Sequence, residues 1–137
     1  ADKVITFDPN EALRFDGFTA AYLQYTGARL ASILRKAGTE GAAADYSRLV
    51  HAKEIFLALY LEKFFEAVIK AGAQRDPSII ARYLFELAQA FNDYYHEVPI
   101  LNAEAPLAAA RLNLLRAVRQ VLENGFRLLG FAYLEEM

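Results

Sequence analysis

The sequence predicts an all-α protein, a single-domain bundle of about five helices. Three observations carry that expectation. Apolar residues recur at intervals of three and four along the long segments, which is the spacing of one helix face. The four prolines and seven glycines fall mostly between those segments rather than inside them. Two-residue alternation, the mark of a half-buried strand, is confined to Val4 to Phe7, and no internal repeat is present. A chain of 137 residues suits one domain, and folding at that size buries about 70% of the surface an unfolded chain exposes.

Taken in order, residues 1–18 read as an irregular lead-in and residues 19–137 as the helical domain. In the lead-in, Asp8, Pro9 and Glu11 resemble a helix cap with proline at the first helical position, and the turn ends before Gly17. The first long helix starts at Thr19, a plausible N-cap, and stops near Gly38. Arg35 and Lys36 sit where cations favour a helix C-terminus. Gly38 to Ala44 is a loop. Tyr46 to Ala71 is apolar-periodic and long enough for one bent helix or for two packed end to end, of which two is the favoured reading, without a sharp boundary. Asp76 and Pro77 restart the pattern, and Ile80, Leu84, Leu87, Phe91, Tyr95 and Val98 form its inward stripe until Pro99 closes it. The last helix begins at Ala105 or Pro106 and runs to Gly130, with Leu115, Val118, Leu122, Phe126 and Leu129 facing inward. A tail from Phe131 to Met137 follows.

Composition narrows the function. With 55% hydrophobic and 23% charged residues the chain has the makeup of a folded protein. No apolar run approaches the ~18 residues of a membrane span, and no secretory leader is visible, so no membrane partner is expected. The absence of cysteine excludes disulfides, thiolate metal sites and thiol catalysis, and suits the cytoplasm. A net charge of −2 and a pI of about 5.7 do not advertise nucleic-acid binding, which usually calls for a basic excess. An RNA-binding role therefore requires local positive charge and stacking.

The first long helix carries two adjacent stripes. Leu23, Leu30 and Leu34, with Ile33 at the edge, form the core side; Tyr22, Tyr25, Arg29 and Lys36 form the neighbouring strip. Two phenols and two cations on one line suit base stacking and phosphate attraction, although an aromatic stripe is more commonly packing. Asn92, Asp93, Tyr94, Tyr95 and His96 make a second polar and aromatic cluster before Pro99. There, either Tyr94 or Tyr95 completes the core, or the helix end carries function. On the last helix, Arg116, Gln120, Glu123 and Arg127 form a polar face. Arg111 and Arg119 fall in its inward sector, either partly buried against acidic or carbonyl partners or lining a groove. An unpaired buried guanidinium would be very costly.

No catalytic constellation is present. His51 and His96 lack metal-ligand spacing, and there is no phosphate-binding glycine loop, no dinucleotide fingerprint and no nucleophile elbow. Neither catalytic nor metal-ligating residues are expected in this chain.

Four blocks carry a resemblance to a known family. Residues 22–36, YLQYTGARLASILRK, closely resemble the (P)YLQYxHARxxSILRK signature that opens the C-terminal helical domain of arginyl-tRNA synthetases. Residues 83–101, YLFELAQAFNDYYHEVPIL, are similar to that family's YLYELAQxFNxFYxxCPVL. The third block is residues 110–130, and EEM at 135–137 is similar to the family's closing ERM. Four blocks in order across the chain are far more specific than one.

The resemblance implies an anticodon-binding domain of the class I synthetase type, which docks the anticodon stem-loop of arginine tRNA within an arginine–tRNA ligase. Tyr25, Arg29 and Tyr95 match family positions that contact anticodon-loop nucleotides, and Met137 matches a terminal methionine packed near them. Tyr22, Gln24 and Lys36 also fall on motif positions; Tyr22 and Lys36 join the expected tRNA-binding set, with a structural role as the alternative for Tyr22. The chain departs from the family in three places: Ala20 and Ala21 stand for Gly-Pro, Gly27 for histidine, and Ala132, Tyr133, Leu134, Glu135 and Glu136 for the usual Ala-Pro-Glu-Arg, with Glu136 in place of an arginine. The family's adenylate-forming motifs belong to a domain that would precede residue 1, so the chain is expected to be a fragment. It would hold no cofactor itself, with ATP and magnesium serving the full-length enzyme. Its partners would be the tRNA and the catalytic domain of the same polypeptide, not DNA. The rival expectation is a helical protein-interaction module without RNA readout.

Overall fold

The computed structural model describes residues 8–12, 19–37 and 43–137. The alternation at residues 4–7, the end of the turn before Gly17 and most of the loop at 38–44 lie outside the described residues. Helix α1 (Pro9–Ala12) is one turn, entered through Asp8, whose carboxylate accepts the Asn10 N–H at 2.8 Å. Helix α2 (Ala20–Ala37) starts as expected: the Thr19 hydroxyl accepts the Tyr22 N–H at 3.1 Å, satisfying one of the donors that a helix start leaves open. Leu23, Leu30 and Ile33 are buried and Leu34 is half-buried. The expected roles of Ile33 and Leu34 are thereby exchanged. The buried face steps by three and four through Leu23, Thr26, Leu30 and Ile33, which leaves Leu34 one residue further round.

The segment expected to be helical from Tyr46 starts later. Tyr46–Arg48 is a single tight turn capped by Asp45, and helix α3 (Ala52–Glu62) begins after His51. The His51 Nδ1 accepts the Lys53 N–H at 3.2 Å and the Glu54 carboxylate accepts the His51 N–H at 2.9 Å. This is a capping box with histidine in the place usually held by serine or threonine. Lys63 alone separates α3 from α4 (Phe64–Gln74), so two helices do lie end to end. Arg75 then turns left-handed at φ 52° and closes α4.

Helix α5 (Ser78–Glu97) is entered through Asp76, whose carboxylate accepts the Ser78 N–H at 2.9 Å. Its inward stripe is Ile80, Leu84, Leu87, Phe91, Tyr94 and Val98. Tyr94, not Tyr95, fills the core: the stripe advances by three from Phe91 and by four to Val98, placing Tyr95 on the flank. Helix α6 (Ala105–Leu129) has proline in its first turn and ends at Gly130, whose φ of 82° suits a residue without Cβ. Leu115, Val118, Leu122 and Phe126 are fully buried, whereas Leu129, in the last turn, is only half-buried.

The central layer is α2, α5 and α6 in mutual contact; α3 packs on α5 and α6, and α4 on α5. The described residues form these five long helices and the one-turn α1, and no strand occurs among them. At the α5–α6 crossing a Cβ on Gly125 would fall 2.4–2.9 Å from side-chain atoms of Leu84, so the helices approach this closely only because that position is glycine.

One charged pair lies inside the bundle. Glu54 on α3 is 1% exposed and Arg111 on α6 is 9% exposed, with the Arg111 Nε 2.6 Å from the Glu54 Oε1. The Tyr94 hydroxyl donates to the same oxygen at 3.2 Å, and the Arg111 guanidinium reaches the Pro99 carbonyl at 2.6 Å. Burial, then the Glu54 charge, raises the Tyr94 phenol above its ordinary range. Arg111 thus has the acidic and carbonyl partners that a buried guanidinium requires.

Candidate nucleic-acid interface

The site is built where α2 crosses the C-terminal half of α5. Asn92 ties the two helices together: its amide donates to the Tyr22 hydroxyl at 2.9 Å and to the Thr26 hydroxyl at 3.2 Å. The Tyr22 ring packs on Phe85 at a centroid separation of 5.2 Å. Tyr22 therefore belongs to the helix joint rather than to an open surface. The Asn92 oxygen faces the Arg29 guanidinium at 3.5 Å, a marginal contact.

One turn beyond this joint, Arg29 lies over Tyr95 with its guanidinium carbon 4.8 Å from the ring centre, within the range of cation–π attraction. Tyr95 is half-buried, with Phe91 and His96 rings 6.2 Å away on its own helix. Tyr25, four residues before Arg29, is 44% exposed. These three side chains border a groove of about 480 Å³ that also takes in Lys36 and Met137. The structure thus brings together five of the six residues singled out for tRNA contact, and leaves Tyr22 beside them in the joint.

The other wall of the groove is the segment after Gly130, which runs back along α2 without helix or strand. Arg35 donates to the Glu135 carbonyl at 3.0 Å and pairs with the Glu136 carboxylate at 3.3 Å. Arg119 pairs with the Glu135 carboxylate and lies over the Tyr133 ring at 5.2 Å. Arg119 is thus partly buried against an acidic partner, one of the two expectations for it, and from there it anchors the tail. Glu136 likewise faces a cation of α2, so the groove contains Arg29, Arg35 and Lys36 alongside two carboxylates. Stacking surface rather than a strong positive field is its main asset, in keeping with the net charge.

Sequence reasoning did not find Asn92 as the tie between helices, Glu54 as the partner of Arg111, or the role of the tail. An isolated polar residue within an apolar helical stripe is the one available signal for Glu54 and Asn92, and it does not name their partners. Among the described residues, no three His, Asp or Glu side chains gather as a metal site.

A helical module with a paired arginine–tyrosine platform beside an open groove is the class of domain that these observations define. The chain belongs to the family described as the DALR anticodon binding domain, whose model matches residues 23–137. It is 44% identical over 137 residues to an arginine–tRNA ligase of Clostridium botulinum, covering 99% of this chain and 24% of the relative. It spans, then, about a quarter of the length of such curated relatives. The solved arginyl-tRNA synthetase of Thermus thermophilus superposes with a TM-score of 0.90 at 41% identity, covering 96% of this chain and 23% of that one. The arginyl-tRNA synthetase of Plasmodium falciparum, at 22% identity and a TM-score of 0.79 over 96% of this chain and 23% of that one, shares the fold. No described helix is long and apolar enough to cross a membrane.

Proposed function

We propose that this chain is the anticodon-recognition domain of an arginine–tRNA ligase of class I, acting in the cytoplasm. It docks the anticodon stem-loop of arginine tRNA, while ATP-dependent aminoacylation takes place in a catalytic domain elsewhere in a longer polypeptide. The convergence of Tyr25, Arg29, Lys36, Tyr95 and Met137 on one groove, with Arg29 over Tyr95, carries this reading. RNA loops are bound by splaying bases out and stacking them on aromatic rings or guanidinium planes. Tyr25 offers an exposed ring, the Arg29–Tyr95 pair offers a second platform, and Lys36 offers a charge for the backbone. Each stacked base contributes about 1–3 kcal/mol.

In the synthetase that contains these residues, Tyr25→Ala or Tyr95→Ala is expected to lower kcat/KM for tRNA by about 5- to 150-fold. Arginine-dependent ATP–pyrophosphate exchange, or its tRNA-dependent equivalent at saturating tRNA, should remain nearly unchanged. Normal charging of arginine tRNA by both variants would remove the groove from the recognition surface.

A second reading has an observation of its own. Ile55 and Leu59 on α3, and Phe65 and Ile69 on α4, are each about half exposed or more, and exposed apolar groups at helical spacing suit a protein contact. The occupant we assign is the remainder of the same synthetase polypeptide, which is compatible with RNA at the groove. A module that only binds protein would instead leave the signals of Tyr25 unmoved by the tRNA.

A further inference from the structure

The groove wall formed after Gly130 has no secondary structure of its own, so side-chain contacts must set its position. The ion pairs that hold it involve exposed or partly exposed groups: the Arg35, Arg119, Glu135 and Glu136 side chains are 47%, 32%, 51% and 82% accessible. Such pairs hold weakly in water. Tyr133 is different. Its ring lies against Phe126, with centroids 5.8 Å apart, and its hydroxyl donates to the Gly27 carbonyl on α2 at 2.6 Å. Burial pushes its phenol up to about 12.

The seat for this ring is specific. A Cβ placed on Gly27 would stand 3.0 and 3.3 Å from two ring carbons of Tyr133, closer than such atoms normally sit. The bare backbone of α2 at this point is what lets the phenol lie flush on the helix. Two residues earlier is Tyr25 and two later is Arg29, both bordering the groove. Four residues beyond Tyr133 is Met137 on the same groove. The Gly27–Tyr133 contact is thus the joint between the helix that supplies the stacking surface and the segment that supplies the opposite wall.

We propose that Tyr133, seated on Gly27, is a positioning residue for the RNA groove, holding the tail along α2 so that Met137 and its neighbours form part of the binding surface. The proposal rests on the RNA reading of that groove. It makes Gly27 a requirement of the tail's placement rather than of the helix, where glycine is unfavourable.

Met137 is the chain's one methionine, so a chain labelled with ¹³C-methyl methionine gives a single methyl signal that reports the tail. The probe is an RNA hairpin carrying the anticodon stem and loop of an arginine tRNA. In the unaltered chain the methyl signal should be displaced from that of free methionine and should shift again when the hairpin binds. Tyr133→Ala should return the signal to the free-methionine position and weaken hairpin binding about tenfold, a typical cost of removing a well-packed contact. Tyr133→Phe, which keeps the ring, should retain most of both properties. Circular dichroism checks that the helices persist; if the alanine variant does not fold, Tyr133→Leu, which keeps bulk without the flat ring, decides in its place. A folded alanine or leucine variant that binds the hairpin as tightly as the unaltered chain overturns the proposal. Failure of the unaltered chain to bind the hairpin overturns the RNA reading and this proposal together, and is seen before any variant is made.

Discussion

The Arg29 guanidinium lies 4.8 Å from the centre of the Tyr95 ring, joining α2 to the end of α5 through a cation–π contact at the border of the groove. A plane stacked on a ring depends on shape as well as charge. Lysine keeps the charge but loses the flat surface and the hydrogen-bond fork. Arg29→Lys should therefore weaken binding of the anticodon hairpin by about 1 kcal/mol, near fivefold, while changing the urea stability by less than about 0.5 kcal/mol. Equal binding by the lysine variant, measured by fluorescence anisotropy, would mean that charge alone acts at this position.

The buried pair makes a stability prediction separate from the groove. Removing the Glu54 carboxylate strands the Arg111 guanidinium in the interior and takes away the acceptor of the Tyr94 hydroxyl. Glu54→Ala should cost about 3–5 kcal/mol in chemical denaturation. The double variant Glu54→Leu with Arg111→Met should recover much of that loss, because apolar replacement of both partners removes the stranded charge. A double variant as unstable as the single one would show that the pair contributes more than mutual neutralisation.

Two glycines on helices should respond in opposite directions. Gly125→Ala drives a methyl group into Leu84 and should destabilise the bundle by about 1–3 kcal/mol. At Gly72 a Cβ meets nothing within 4 Å, so Gly72→Ala should stabilise by about 0.5–1 kcal/mol through helix propensity. Paired urea melts measure both; a Gly125→Ala variant no less stable than the unaltered chain would contradict the packing at the α5–α6 crossing, and a destabilised Gly72→Ala variant would contradict the open space on α4.

Much of the fold and of the groove was legible in the sequence, and what escaped has a common physical cause. Helical periodicity located α2, α5 and α6, and the joined pair α3 and α4, because burial of one face leaves a repeat of three and four residues. It also put Tyr25, Arg29 and Lys36 on one strip. The exchange of Tyr94 and Tyr95 turns on a single step of three rather than four, to which the pattern is nearly blind. His51 hid the start of α3 because histidine rarely caps a helix. Glu54 with Arg111, Asn92 with Tyr22, and Gly27 with Tyr133 are pairings across 57, 70 and 106 positions of chain. Periodicity cannot report which helices meet.

Alkaline pH should loosen the bundle through its buried phenols. Burial raises Tyr83 and Tyr94 above their ordinary value of 10.0. A raised folded value means that the unfolded chain loses the proton first, so the stabilisation is complete below about pH 10 and falls away above it. Urea midpoints should be flat from about pH 8 to about pH 9.5 and drop by about pH 11. Tyr94→Phe, less stable at neutral pH for want of the Glu54 contact, should show a shallower drop. An equally steep drop would place the titrating phenol elsewhere.

The groove's role is tested most directly by titrating this chain into two fluorescent RNA hairpins, one with the anticodon loop of an arginine tRNA and one with that loop replaced on the same stem. The first should bind more tightly, and Tyr25→Ala or Tyr95→Ala should reduce its affinity by about 5- to 150-fold while narrowing the gap between the two RNAs. Equal affinity for both hairpins, unaffected by either substitution, would contradict recognition of the anticodon loop through this groove.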